Sequence, residues 1–536
     1  MLKLPIGIQS FETIRNEGYL YVDKTKYLID LIDRGKVYFL SRPRRFGKSL
    51  TISTFDALFS GKKELFHGLF AEEFFERPNY KTFPVIRLDM SEIVTYLGME
   101  DLQNSMLLQA MNAARRHGVE LSALAQKNPS MALGELMLLV AEKEKKPAVV
   151  LVDEYDKPIL DSLHDIEKTA VFRTVLQSFY TQIKAADERV RFVFITGISK
   201  FSKMGIFSAM NNLADISMDE RYAAMLGYTE EELTANFGGY VEETAVKLEK
   251  TKSALIAEMR SYYDGFSFDG KTRLYNPFST LNFFNVPSFR NYWFESGTPS
   301  FIARYIKDRK LTVEQFRGLE VSRDFASYPG EMENATEAGF LYQSGYLSLR
   351  PGITDDYSLD YPNYEVLSAM SALLTANILG GRAESDESRR IFRRHLIDGN
   401  APGVVEEFNR LLAAIPYDDY IGAARRTARY FGVSAGEWLY RSALLSYLYG
   451  MGLDVSAEPH TSKGRADILV RFMGRVWLIE LKVAPKDKNA AELADAALAQ
   501  IREKGYADPF SDAVLLGLAI DDEQRAITEF RAEIKK

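Results

Sequence analysis

The chain contains no cysteine. Disulfides and cysteine-based zinc sites are therefore excluded, and a reducing compartment, the cytoplasm, is the expected setting. Histidine is scarce too. His67, His117, His164, His395 and His460 lie far apart and match no metal-ligand spacing such as HExxH. Any metal should then be a hard cation held by carboxylates, Mg2+ or Mn2+. No run approaches the ~18 apolar residues of a membrane span. The opening Met1-Leu-Lys-Leu-Pro-Ile-Gly-Ile-Gln-Ser10 lacks the apolar core of a signal peptide. No membrane partner is expected. A basic excess is also lacking: the net charge is −7. Bulk electrostatics gives no nucleic-acid footprint, so any contact with DNA or RNA would need a local basic strip, which the sequence does not show plainly.

What is present is an ordinary globular composition, 46% hydrophobic and 26% charged over 536 residues. That length is too great for one hydrophobic core and suggests about three domains. Residues 1–220 alternate apolar strand-like runs with helical stretches. The strand candidates are Val37–Leu40, Val85–Leu88, Ala148–Val152 and Phe192–Ile195. Continuous apolar strands separated by helices imply a parallel sheet covered on both faces. Residues 221–350 read as a mostly helical second lobe. Thr229 with Glu232 predicts a capping box at a helix start. Aromatics crowd the segment from Tyr262 to Phe294, and their expected role is core packing rather than base stacking. Turn residues at 351–362 mark a boundary candidate, a helical connector is expected at 351–430, and residues 431–536 change character to helix, hairpin, strand, helix.

Two segments carry chemistry. In the first, Phe39-Leu-Ser-Arg-Pro-Arg-Arg-Phe-Gly-Lys-Ser-Leu50 follows an apolar strand and opens a helix. Backbone N–H groups across Arg45, Phe46, Gly47, Lys48, Ser49 and Leu50 would form an anion nest. Lys48 would reach the β- and γ-phosphates of ATP, and Ser49 would ligate magnesium. The pattern GxxxxGK[ST] asks for Gly at position 42, where this chain has Arg42, and Arg42, Arg44 and Arg45 would add positive charge beside the phosphates. The apolar run Ala148–Val152 ends in Asp153-Glu154. Ligands gather at the carboxyl ends of strands in such sheets. Asp153 would orient the magnesium through a water, and Glu154 would polarise the attacking water. Thr196, ending the next strand, stands where a γ-phosphate sensor would sit. Asp156 reads as a turn residue before Pro158 more than as a second acidic contact.

In the second, Lys463–Val470 reads as a turn and a strand with Asp467 near its start. Phe472–Arg475 reads as a turn, and Val476–Lys482 as the returning strand. Side chains alternate on a strand, so Glu480 and Lys482 share one face and Trp477, Ile479 and Leu481 the other. Glu480 and Asp467 would ligate the metal, with Glu437 on the helix before them as a third carboxylate. Two carboxylates can hold Mg2+ or Mn2+ against a scissile phosphate and activate a water. Lys482 would orient that water or stabilise developing charge. Gln500, in the helix Ala494–Glu503, would give a supporting hydrogen bond, with Lys504 and Tyr506 close behind. An E-x-K pair alone is common on surface strands; four elements in order are far more specific.

The whole chain resembles predicted bacterial AAA-ATPase-like proteins with a C-terminal PD-(D/E)XK nuclease superfamily domain. The residues that carry the resemblance are Tyr21-Val-Asp-Lys-Thr25, Ser41–Ser49, Leu151–Asp156, Thr196–Phe201, Tyr275-Asn-Pro-Phe278 and the set Glu437, Asp467, Glu480, Lys482 and Gln500. The resemblance implies an α/β fold: a P-loop NTPase domain, parallel sheet with helices on both faces, a helical lobe, and a C-terminal α/β nuclease-like domain. In that family the missing first loop Gly is usual. Asp23 and Lys24 belong to the resemblance without an independent physical role. The expected function is ATP binding and hydrolysis coupled to Mg2+-dependent cleavage of nucleic acid, DNA more than RNA. The competing expectation is a nucleotide-switched signalling or binding module with an inactive nuclease fold. A translocating motor is disfavoured, since no arginine finger is evident, although an oligomer is compatible with the sequence.

Overall fold

A computed structural model of the chain describes residues 1–96, 98–163, 165–200, 206–207, 210–295, 311–322, 325, 336–352, 356–378, 386–416, 421, 424–425, 428, 434–457, 460–461, 464–465, 467–484 and 489–535. His164, Phe201, Lys463, and parts of the 351–362 boundary candidate and of the 351–430 connector lie outside the described residues. The chain divides into two compact units. The first is Met1–Gly297 with Gly318–Glu365; the second is Thr298–Arg317 with Val366–Lys536.

In the first unit, α1 (Phe11–Asn16) and α2 (Thr25–Arg34) lead into β1 (Val37–Ser41) and α3 (Lys48–Ser60). Then follow β2 (Val85–Asp89), α4 (Met99–His117), α5 (Pro129–Glu144), β3 (Ala148–Asp153), α6 (Lys157–Ser162), α7 (Ile166–Ala185), β4 (Val190–Gly197) and the two-residue β5 (Ala214–Asp215). The sheet is parallel throughout, in the order β2-β3-β4-β1-β5. All four strand candidates are strands. Alternation sends Val193 and Ile195 of β4 into a core with Met106, Leu136 and Leu176 from α4, α5 and α7. Phe192 and Phe194 point the other way, where Phe55 of α3 meets them at ring centroid distances of 5.1 and 5.0 Å. Helices thus cover both faces. In space β4 stands between the loop-bearing β1 and the Asp-Glu strand β3.

The lobe begins with α8 (Glu230–Lys247), whose capping box is present in full: Glu232 N–H donates to Thr229 Oγ1 at 3.2 Å and Thr229 N–H to Glu232 Oε2 at 2.9 Å. With α9 (Lys252–Tyr263), α10 (Pro277–Asn285) and α11 (Tyr292–Glu295) it encloses Phe237, Tyr263, Tyr275, Phe283 and Phe284, so these aromatics are core. The lobe is not wholly helical. Beside α12 (Glu337–Ser344), the strands β6 (Leu319–Val321), β7 (Ser348–Pro351) and β8 (Tyr357–Asp360) form an antiparallel sheet in the order β6-β8-β7.

After α13 (Tyr364–Ile378), α14 (Asp386–Asp398) and α15 (Ala401–Ala414), the second unit continues through α16 (Ala435–Gly450) to β9 (Asp454–Ala457). A small hairpin, β10 (His460–Thr461) with β11 (Gly464–Arg465), precedes β12 (Ile468–Phe472), β13 (Arg475–Ala484), α17 (Ala490–Glu503), β14 (Ala513–Asp521) and β15 (Ala526–Lys535). The main sheet runs β15-β14-β13-β12-β9, with β13 and β14 parallel and the other pairs antiparallel. Phe472 pairs with Arg475, so Met473 and Gly474 form a two-residue turn. Their φ values of 50° and 84° are what a right-twisting hairpin of that length requires.

Candidate functional site

At the end of β1 the chain turns through two left-handed residues, Arg45 (φ 65°) and Gly47 (φ 97°), and Gly47 caps α3. A loop of that shape entering a helix N-terminus directs backbone N–H groups to one side. The lobe holds it there. Phe46 is buried, with Phe266 and Phe268 edge-on at 5.0 and 5.5 Å. Trp293 Nε1–H donates to the Arg44 carbonyl at 3.1 Å, and the Arg45 guanidinium lies 4.9 Å over the Phe278 ring.

Arg42 does not add to the charge of this loop, contrary to the expectation from sequence. It is 1% exposed. Its Nη1 donates to the carbonyls of Ser41 at 2.9 Å and Ser217 at 2.7 Å, and the guanidinium stacks 4.0 Å from the Phe268 ring. Burial pushes its pKa down to about 10. Where a P-loop Gly would stand, the chain has instead a buried clip from the end of β1 to the segment after β5.

Lys48 is buried and its Nζ donates to the carbonyls of Arg42 and Pro43 at 3.0 and 2.9 Å. Burial lowers its pKa, opposed by the charges of Glu154, Asp153 and Asp156. Ser49 hydrogen-bonds Asp153, whose pKa burial raises. Asp153 Oδ1 also accepts the Glu154 N–H at 3.1 Å, and Glu154 itself sits at φ 51°. That left-handed conformation is costly for a non-glycine residue, and strain of this kind clusters at functional sites. Thr196 is paired in register with Leu40, and its hydroxyl is buried without a hydrogen-bond partner. Lys48, Ser49, Asp153, Glu154 and Thr196 therefore meet at the carboxyl ends of β1, β3 and β4. An unanswered hydroxyl and a desolvated ammonium beside a nest suit an anionic phosphate. Next to Gly47 lies a cleft, open in part to solvent and lined by Leu20, Val22, Phe46, Leu50, Leu226 and Tyr228 among others.

Three further residues acquire roles that sequence reasoning missed. The Asp156 carboxylate accepts the N–H groups of Ile198 at 3.1 Å and Ser199 at 2.7 Å, so this turn residue also clamps the exit of β4. Asp23 accepts from Thr25 and from the Phe70 N–H. Lys24 Nζ donates to the Ala224 carbonyl at 2.8 Å and pairs with Glu232 at 2.5 Å, tying the cleft wall to the capping box of α8.

In the second unit, β13 presents Glu480 and Lys482 on the face covered by α17. Gln500 of α17 joins them: its Nε2 donates to Glu480 Oε1, and its Oε1 accepts from Lys482 Nζ at 2.8 Å. Gly517 permits this. It pairs with Glu480 in register, and a Cβ there would meet Leu498 N at 2.6 Å and Ala494 O at 2.7 Å, so only a glycine lets α17 lie so close. Trp477 faces the other way, donating to the Leu396 carbonyl at 3.0 Å. Asp467 is interlocked with Glu480: its N–H donates to Glu480 Oε2 at 3.3 Å, and its Oδ2 accepts the Leu481 N–H at 2.9 Å.

Burial, and then the Asp467 charge, raise the pKa of Glu480 to about 8, with Lys482 pulling it down. Glu437 is half-buried at the start of α16, where Ser434 caps the helix, and burial followed by Asp467 raises its pKa too. Among the described residues no three acidic or histidine side chains form a ready-made metal cage. Asp467 and Glu480 are the converging pair, and Glu437 acts on them through its charge. Two hard oxygen donors whose ionisation is resisted by burial and mutual repulsion suit a divalent cation.

A family model described as predicted AAA-ATPase matches residues 5–207, and one for the PD-(D/E)XK nuclease superfamily matches residues 435–530. A protein of Azotobacter chroococcum mcd 1, described as an uncharacterized protein in the vnfD 5' region, is 36% identical over 542 residues, covering 99% of each chain. The chain belongs to the AAA-ATPase-like family with a C-terminal PD-(D/E)XK domain. No solved structure gives a significant match. The AAA-ATPase-like match spans the four strands β1 to β4 and the loop before α3, and the PD-(D/E)XK match covers most of the stretch from α16 to β15. No helix among the described residues is long and apolar enough to cross a membrane.

Proposed function

We propose that the protein binds and hydrolyses ATP in its AAA-ATPase-like domain and cleaves nucleic acid, DNA more than RNA, in its PD-(D/E)XK domain. The observation that carries the second half is the linked set Asp467, Glu480, Lys482 and Gln500, in which each polar group has a position suited to one task. Asp467 and Glu480 would hold the cation, with the charge of Glu437 acting on Asp467. Mg2+ or Mn2+, when bound, neutralises a scissile phosphate and acidifies a water. Gln500 holds Glu480 and Lys482 in one orientation, and Lys482 keeps a positive charge at the place where negative charge develops.

For the first half, the loop Arg45–Leu50 and Lys48 would receive the phosphates, Ser49 and Asp153 the accompanying magnesium, and Glu154 the attacking water. Thr196 would meet the terminal phosphate. Lys48 would exchange its two loop carbonyls for phosphate oxygens, a charge-assisted gain. The apolar cleft beside Gly47 would take the base. The nucleotide state is read as the control on cleavage, since an unrestrained nuclease harms its host.

Plasmid, linear and single-stranded DNA and RNA, incubated with protein and Mn2+ with and without ATP, test this reading. The wild type is expected to cut DNA with an ATP-dependent rate, and Lys48→Ala to lose that dependence. ATP binding without cleavage of any substrate would favour the nucleotide-switched binding module instead.

A further inference from the structure

One layer behind the acidic pair lies a buried ion pair that the proposed chemistry does not use. Residues 311–317 belong to the second unit, although their sequence neighbours up to Gly297 and from Gly318 belong to the first. This stretch carries Glu314, with a side chain 8% exposed. Glu314 Oε2 accepts from Arg441 Nε and from Ser442 Oγ, each at 3.3 Å. Arg441, on α16, is equally buried and lies 5.4 Å over the Trp438 ring. Its Nη1 stands 3.7 Å from Asp467 Oδ1.

That distance is the informative one. It is too long for a hydrogen bond, yet close enough for a strong interaction in a poorly solvated site. A guanidinium prefers short paired contacts with a carboxylate. Glu314 holds Arg441 from the side, and the Arg441–Asp467 ion pair stands at 3.7 Å. Without the Glu314 charge, Arg441 would close on Asp467 and compete with a cation for it.

We propose that Glu314 and Arg441 are positioning residues that set the affinity of the Asp467–Glu480 pair for a divalent cation. Glu314 restrains Arg441, and Arg441 orients Asp467. This rests on the reading of that pair as a cation site. The charges balance: the two residues contribute −1 and +1, so removing both leaves the field at Asp467 nearly as it was, while removing Glu314 alone adds a net positive charge beside it.

Mn2+ binding to the full chain, without nucleotide or nucleic acid, tests the proposal by calorimetry. The wild type is expected to show a site that Glu480→Ala abolishes. Glu314→Gln should weaken that site by about tenfold, the lower range for groups that support metal ligands. Glu314→Asp should stay near wild type, and the double variant Glu314→Gln/Arg441→Gln should recover the lost affinity. Recovery on removing a second buried group is what a merely structural role would not produce. Unchanged affinity in Glu314→Gln, or a double variant weaker than the single, would overturn the proposal while leaving the Glu480-dependent site standing. If the wild type has no Glu480-dependent site, the proposal falls together with the reading beneath it. Should Glu314→Gln not fold, Ser442→Ala removes one restraint on Glu314 alone. It should weaken Mn2+ binding measurably, and wild-type affinity there would again be contradictory.

Discussion

Replacing Glu480 with Gln is expected to stabilise the cation-free protein at neutral pH. Glu480 is 3% exposed, and burial together with Asp467 lifts its pKa from 4.5 to about 8. At pH 7 an unfolded chain carries this carboxyl ionised, so folding must take up a proton. The 2.5 pH units between 4.5 and 7, at about 1.4 kcal/mol each, make that cost about 3 kcal/mol. The sign follows from the raised pKa: the stability is fully present below about pH 4.5 and is lost as pH rises through about 8. Gln does not titrate and still offers an oxygen to Gln500 Nε2. It gives up the hydrogen bond from the Asp467 N–H, worth about 1 kcal/mol. The net expectation is a gain of about 2 kcal/mol at pH 7 and none at pH 5. Urea unfolding in the presence of a chelator, followed by tryptophan emission, reads this directly, because Trp438 and Trp477 are both buried in the second unit. A variant less stable than wild type at both pH values would refute the argument, as would one with the same pH slope.

Three other perturbations have definite expected outcomes. Phe46→Ala empties the slot between Phe266 and Phe268 and should cost the first unit about 3–5 kcal/mol, with loss of the thermal shift produced by ATP. Lys48→Ala should abolish that shift and also lower the stability of the nucleotide-free protein by about 2 kcal/mol, because Nζ serves two loop carbonyls. Gly517→Ala drives a Cβ against the backbone of α17. Melting should fall by the equivalent of about 1–3 kcal/mol, and Mn2+-dependent cleavage should fall with it as Gln500 is carried away from Glu480.

The parallel sheet was legible because β1 and β3 are continuous apolar runs and β4 nearly so, the mark of strands buried on both faces, whereas β2 carries Arg87 and Asp89 and alternates. The hairpin from β12 to β13 was legible for a related reason: Met473-Gly474 is a turn between two alternating segments, and alternation places Glu480 and Lys482 together. Gln500 could be read as helical, but not that Gly517 brings its helix into contact. The strands β14 and β15 were not legible: Ala513–Asp521 is a short apolar run that periodicity alone does not separate from a buried helix, and half of β15 is polar. β5 has two residues and no local pattern. Arg42 was expected to add positive charge beside the phosphates, since arginine is seldom buried, and only the carbonyls gathered around it reverse that expectation. Lys24 with Glu232, and Glu314 with Arg441, join residues 208 and 127 positions apart. No periodicity in a single sequence encodes such pairs.

Cleavage of DNA by wild type and Glu480→Ala in Mn2+, with both proteins shown to fold and to bind ATP, is the most direct test of the account. The wild type is expected to cut, and Glu480→Ala, with its P-loop domain intact, is not. Equal cleavage by the two proteins would contradict it, because the activity would then lie outside the Asp467–Glu480 pair.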